Sequence, residues 1–152
     1  MREISMITRM SHVGVVVENL DETLKVYERV LHLKPHALVD ASGGKARVAF
    51  VPVGDDEIEL IQPIDPTLPI AQYLRKNGTG IHHVSLATDD IEGDVERMRK
   101  DGVVFDRGTP TTGAHGTRII FTDPKFTGGI PIELIEEPAK KTANPSTLPP
   151  RS

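Results

Sequence analysis

Six histidines and no cysteine set what chemistry this 152-residue chain can perform. Disulfides, zinc–thiolate sites and thiol catalysis are excluded, so imidazole and carboxylate are the groups left to hold a metal or move a proton. Two of the histidines stand in matching surroundings. His12 lies in Ser11-His12-Val13-Gly14-Val15-Val16-Val17, and His83 in Gly80-Ile81-His82-His83-Val84-Ser85-Leu86-Ala87. Superimposed at an offset of 71 residues, they also bring Asn19-Leu20-Asp21-Glu22 onto Asp90-Ile91-Glu92-Gly93. A second pairing, offset by 74 residues, sets Ile58-Glu59-Leu60-Ile61 on Ile132-Glu133-Leu134-Ile135. The two offsets differ by an insertion the size of a loop. The chain therefore reads as one module written twice, with a histidine on each opening strand and a glutamate on each closing strand.

If those positions face inward, His12, Glu59, His83 and Glu133 offer two imidazoles and two carboxylates to one point. A mixed nitrogen and oxygen set suits a borderline divalent ion, cobalt first, with zinc, manganese or nickel as alternatives. One histidine on an apolar strand is ordinarily a packed core residue. Two at equivalent places of a repeat, each matched by a strand glutamate, shift the balance toward a site. Glu59 and Glu133 sit between branched apolar neighbours, where an unpaired ionised carboxylate is costly and a metal removes the difficulty. Strand alternation sends His82 to the face opposite His83, to pack against a helix layer or the other module. His115, in Thr112-Gly113-Ala114-His115-Gly116, is a candidate acid–base group on a loop, beside the candidate catalytic carboxylates Glu133 and Glu59. His32 and His36 flank Pro35 and read as surface or strand-end residues.

The elements that must position these groups follow from periodicity and punctuation. Residues 8–17 alternate as a half-buried strand. Asn19 caps a helix and Glu22 completes a capping box. Leu24, Tyr27, Val30 and Leu31 recur at helical spacing up to about Leu33, before Pro35. Strands are expected at His36–Asp40, Lys45–Val53 and Glu57–Gln62, which completes a βαβββ module over 8–62. The linker 63–79 carries three prolines and a short helix, Ile70–Lys76, closed by Asn77-Gly78. The second module, 80–137, repeats the plan: a strand at 80–88, a helix capped by Asp89 or Asp90 and stopped at Gly102, then strands at 103–106, 117–122 and 130–135. Residues 138–152 are polar and proline-rich and are expected to be disordered. The fold class is α+β, two tandem βαβββ modules forming a curled mixed sheet around a metal-binding cleft.

Composition excludes several functions. The net charge of −4 comes without a basic cluster, which argues against nucleic acid. No apolar run approaches the length needed to cross a bilayer, and the first residues, with Arg2, Glu3 and Arg9, do not read as a signal peptide. Absence of cysteine fits a reducing compartment, so a cytoplasmic location is expected.

The motifs resemble the vicinal oxygen chelate superfamily, the glyoxalase and bleomycin-resistance fold, and within it the methylmalonyl-CoA epimerases. The likeness spans residues 8–137. It rests on Ser11–Val17, Val48–Gly54, Ile58-Glu59-Leu60, Pro69-Ile70-Ala71, Gly80–Val84, Asp89-Asp90-Ile91, Gly113-Ala114-His115-Gly116, Pro124-Lys125 with Gly128-Gly129, and Ile132-Glu133-Leu134. The resemblance implies His12, His83 and Glu133 as metal ligands with Glu59 beside the metal. It implies an acyl-CoA substrate, a homodimer, and inversion at C2 of a 2-alkylmalonyl thioester through a metal-stabilised enolate. Two positions depart from the family pattern: Val48 stands where some epimerases carry a glutamate base, and Asp123 where the loop commonly has histidine. Lys125, Arg118, Lys76 and Arg75 could meet the phosphates of coenzyme A, but each reads first as an ordinary surface charge. Rival readings on the same metal set are a glyoxalase I-like lactoylglutathione lyase and an extradiol dioxygenase. A non-enzymatic small-molecule binder of the same fold is the third.

Overall fold

The computed structural model describes residues 7–137, so the expectation for 138–152 lies outside the described residues. Eight strands form one sheet in the order β2-β3-β4-β1-β5-β8-β7-β6. They are β1 (Ile7–Val16), β2 (Ala37–Ala41), β3 (Ala46–Val53), β4 (Asp56–Pro63), β5 (Gly80–Thr88), β6 (Thr111–Thr112), β7 (Arg118–Phe121) and β8 (Ile132–Glu136). The order is a palindrome of the repeat: each opening strand pairs in parallel with its own closing strand, β1 with β4 and β5 with β8. The halves join through the antiparallel pair β1–β5. The result is one continuous mixed sheet, as expected from the duplicated plan.

Two helices, α1 (Leu20–Val26) and α3 (Ile91–Lys100), pack on the outer face, while α2 (Pro69–Asn77) lies on the other side, where Ile70 packs against Val48 and Ile61. Asn19 caps α1 by accepting the Glu22 N–H at 3.0 Å, but the Glu22 carboxylate turns to Lys25 instead of completing the box. A π-helical turn, Tyr27–Leu31, continues α1 and stops two residues before the expected Leu33, with His32 in the left-handed region as its cap. Asp90 caps α3 by accepting from the Gly93 N–H. Equivalent cores lie under the two longer helical segments: Val17, Leu20, Val51 and Leu60 in the first half, Ile91, Val95, Ile120 and Leu134 in the second. Their burial holds the helices on the sheet. The strand expected at 103–106 is reduced to a single bridge, Phe105 to Thr122, and β6 takes the edge instead. Asp106 lies just beyond that bridge and accepts the Phe121 N–H with its side chain, which replaces a ladder bond.

The β1–β5 ladder is irregular at three places, one between Ile7 and Arg9 and the other two each beside one of the inward histidines. The register steps from Met10↔Leu86 to His12↔Ser85, leaving Ser11 unpaired, and from Gly14↔His83 to Val15↔Ile81, leaving His82 unpaired. Each is a β-bulge, an extra residue that breaks the two-residue alternation. The repeat alignment puts the two bulged residues at equivalent positions.

Gly14, opposite His83, has no room for a side chain, because a methyl group there would sit 2.0 Å from Cε1 of the His83 ring. Gly14→Ala is expected to lower stability by ~1–3 kcal/mol through overpacking, read as a shift in urea midpoint at unchanged m-value. An unchanged midpoint would show that the ring has another place to go.

Candidate active site and metal centre

Strand register places the site. Glu57 of β4, His12 of β1, Ser85 of β5 and Glu133 of β8 form one row across the four central strands, and Glu59, Gly14 and His83 form the next. In a flat sheet β4 and β8 would stand three strand spacings apart, ~14 Å. Yet Glu59 Oε2 lies 2.8 Å and Glu133 Oε1 3.3 Å from the same atom, His12 Nε2. The sheet is therefore curled, and its concave face gathers these residues.

His83 Nε2 lies 3.3 Å from His12 Nε2 and 3.9 Å from Glu133 Oε2. Ligand atoms of His12, Glu59 and His83 all fall within 4.8 Å of one another, and Glu133 adjoins them. All four residues are buried. Two carboxylates in so small a dry volume repel each other, and the protons show it. Burial drives Glu133 up to about 7, with the Glu59 charge adding to the rise. Burial works the same way on Glu59, but its hydrogen bond to His12 and that ring's charge hold it below the usual carboxylate range. His12 is raised: burial opposes its charge, and the Glu59 hydrogen bond and the Glu59 and Glu133 charges overcome it. Burial takes His83 down to about 3 and also lowers His82. Two nitrogen and two carboxylate donors, converging and short of protons to share, fit a divalent cation of the cobalt or zinc type.

Glu59, His83 and Glu133 line a cavity of about 460 Å³ whose apolar wall includes Val48, Ile61, Ile70, Ile119 and Phe121. A second hollow of about 570 Å³ adjoins it, sharing Ser42, His82, Arg107 and Phe121.

His115 belongs to this site. Its loop folds across from the second half of the chain, and its ring lies between Phe50, at 4.2 Å between centroids, and His12, at 4.9 Å. Its Nε2 is 2.9 Å from Glu57 Oε1, and its Nδ1 is 3.9 Å from Glu59 Oε2. The expectation for His82 is corrected: it does not face away from the cleft but lines both hollows, 3.0 Å from His83 Nδ1 and edge-on to Tyr73. The bulge is the reason, since it puts consecutive side chains on the same side. Of the basic candidates, Arg118 is held by Glu136 and Glu92, and Arg75 donates to the Pro66 carbonyl. His36 pairs at the surface with Glu57.

Several site residues were not singled out from sequence. Glu57 is one, although its place two residues before Glu59 on a strand puts both on one face. Burial raises its carboxyl, but hydrogen bonds from His36 and His115 bring it below the usual range. Ser85 donates to Glu133 Oε1 at 2.7 Å and also follows by alternation from His83. Arg107, in both hollows and paired with Asp106, gave no sequence signal.

Residues 11–121 match the family model of the glyoxalase/bleomycin resistance protein/dioxygenase superfamily. The chain is 34% identical over 131 residues to the ethylmalonyl-CoA/methylmalonyl-CoA epimerase of Cereibacter sphaeroides, covering 85% of this chain and 98% of that one. The crystal structure of methylmalonyl-CoA epimerase from Mycobacterium tuberculosis superimposes with a TM-score of 0.83 at 31% identity, over 90% of this chain and 92% of the other. A variant of the Streptomyces coelicolor methylmalonyl-CoA epimerase in complex with 2-nitronate-propionyl-CoA gives 0.81 at 27% identity, over 86% and 97%. The duplicated sheet, its inward imidazoles and carboxylates and these likenesses agree: the chain belongs to the glyoxalase/bleomycin resistance protein/dioxygenase superfamily and, within it, to the methylmalonyl-CoA epimerase family.

Proposed function

We propose that this chain inverts C2 of methylmalonyl-CoA or a close 2-alkylmalonyl-CoA. The observation that carries the reading is the convergence of His12, Glu59, His83 and Glu133 beside a cavity walled by apolar side chains. Relatives named for ethylmalonyl- and methylmalonyl-CoA, and a neighbour holding an acyl-CoA analogue, support the substrate class.

The C2 hydrogen of such a thioester lies between a carboxylate and a thioester carbonyl, and its loss leaves negative charge on the carbonyl oxygen. His12, Glu59, His83 and Glu133 are the residues that would hold a divalent ion here, and the chemistry supplied by such an ion is Lewis acidity toward a carbonyl oxygen, worth several kcal/mol. The chain's own groups must move the proton. A carboxylate oxygen of Glu133 or Glu59 takes it from one face of C2, the C–H electron pair passing into the thioester. The opposite face needs a second group. Val48 on β3 has nothing to offer, while His115 does. His115 donates Nε2–H to Glu57, which positions it, and its Nδ1 is the second acid–base atom: protonated, it returns a proton to C2 as the carboxylate takes one, and in the reverse direction its lone pair takes the proton that the carboxyl returns. The apolar walls keep water from competing for the proton.

Cobalt is the preferred ion, supported by the mixed donor set without thiolate. A homodimer is the expected assembly, supported by Val26, Val30 and Leu31 left exposed along the first helix and its π turn. A cytoplasmic setting is supported by the lack of cysteine. No helix among the described residues is long and apolar enough to cross a membrane.

In deuterated water the protein is expected to place deuterium at C2 of methylmalonyl-CoA, followed by mass spectrometry. Turnover of the methylglyoxal–glutathione adduct with no such exchange would overturn the reading in favour of a glyoxalase. His83→Ala and Glu133→Gln are expected to lose most of the divalent metal and at least ~10²-fold in kcat, judged by elemental analysis beside kinetics. His115→Ala and Glu57→Ala should each lower kcat ~10²-fold with KM little changed, and the double variant should be no worse than either. Full additivity in that cycle would separate the two residues and remove Glu57 from the mechanism.

A further inference from the structure

Each candidate ligand histidine comes directly after a bulged residue, and each bulged residue reaches the Nδ1 of the ring after it. In β1, Ser11 Oγ is 3.2 Å from His12 Nδ1. In β5, His82 Nδ1 is 3.0 Å from His83 Nδ1. Regular alternation would put residues 11 and 12, or 82 and 83, on opposite faces and allow neither contact. The bulge is thus the device that lets a ligand's preceding neighbour act on it. It occurs twice, at equivalent places of the repeat, with different side chains.

The direction of the first hydrogen bond is set by its surroundings. Ser11 has one hydroxyl proton, and that proton goes to Glu137 Oε1 at 3.1 Å, a carboxylate that can only accept when ionised. Glu137 is itself held by Arg9. Ser11 therefore meets His12 with a lone pair and accepts from Nδ1–H. In the second pair, His82 accepts at Nδ1 in the tautomer whose proton is on Nε2. Edge-on contact with Tyr73 at 4.8 Å and with Phe121 at 6.5 Å holds its ring. With both Nδ1 atoms acting as donors, the two Nε2 atoms, 3.3 Å apart beside two carboxylates, are the edges left to meet a cation, which would take the place of the proton shared by His12 and Glu59.

We propose that Ser11 and His82 are paired positioning residues, each set by a β-bulge to accept the Nδ1–H of the following histidine and so commit Nε2 of His12 and His83 to a metal ion. The proposal rests on the reading of His12, Glu59, His83 and Glu133 as the metal-holding set. It adds residues outside that set, on which affinity depends. A histidine ligand whose second nitrogen has lost its acceptor is free to rotate or take the other tautomer, and affinity falls typically 10- to 100-fold.

The test is calorimetric titration of the metal-stripped full chain with Co²⁺ and with Zn²⁺. Ser11→Ala and His82→Leu remove the acceptors, and His82→Asn restores one, since its Oδ1 occupies the place of the imidazole Nδ1. Ser11→Thr keeps the hydroxyl. The expected result is a ~10-fold or greater loss of affinity for Ser11→Ala and for His82→Leu, with Ser11→Thr and His82→Asn close to the wild type. Thermal melting of the metal-free proteins separates this from general loosening: a variant that melts lower yet binds as tightly as the wild type overturns the proposal. So does equal loss in His82→Leu and His82→Asn, which would make the position one of shape alone. If the wild type itself binds neither ion, the metal-site reading fails. If the wild type binds and all four variants bind equally, only the role of Ser11 and His82 fails.

Discussion

Glu59 and Glu133 come within about 3 Å of one imidazole nitrogen, in a volume that water hardly reaches. Burying one ionised carboxylate costs several kcal/mol, and burying two together adds their repulsion. That constraint explains much of what surrounds the cluster. His12 is raised to share charge with Glu59. Ser85 donates to Glu133. Glu57, one position further along the same face of β4, is held by two histidines. An arrangement so rich in acceptors fits a divalent cation.

The architecture meets the constraint by duplication. One module supplies His12 and Glu59, the other His83 and Glu133, and the β1–β5 pairing puts the two sets face to face. Parallel pairing of each opening strand with its closing strand keeps imidazole and carboxylate one strand apart within a module. Curling then closes the distance between modules, and Gly14 admits the His83 ring where any side chain would collide with it. The remaining apolar surface is divided between the outer cores under the helices and the cavity wall, where Val48, Phe50 and Ile61 form their own cluster with Ile70 and Ala114.

Much of this was legible in the residues. The repeat, the histidine and glutamate on matched strands, the caps at Asn19 and Asp90 and the linker helix all depend on local spacing, which a chain carries in its order. The failures have one character. His82 was assigned by strict alternation, and a bulge overrode it. Residues 103–106 have the composition of a strand, but the Asp106 side chain takes the ladder's place beside Phe121. Glu57 was only the first residue of a strand until a loop from 58 residues away laid His115 on it.

The amino-acid order by itself determined the duplicated plan and the four inward donors, because strand alternation and capping are short-range effects that a few neighbouring residues decide. Only the tertiary structure decided the order in which the strands pair, that bulges turn Ser11 and His82 toward the rings beside them, and that His115 lies against His12. Those outcomes depend on register between strands and on curvature, which arise from packing the whole sheet at once and leave no mark in any single stretch of sequence.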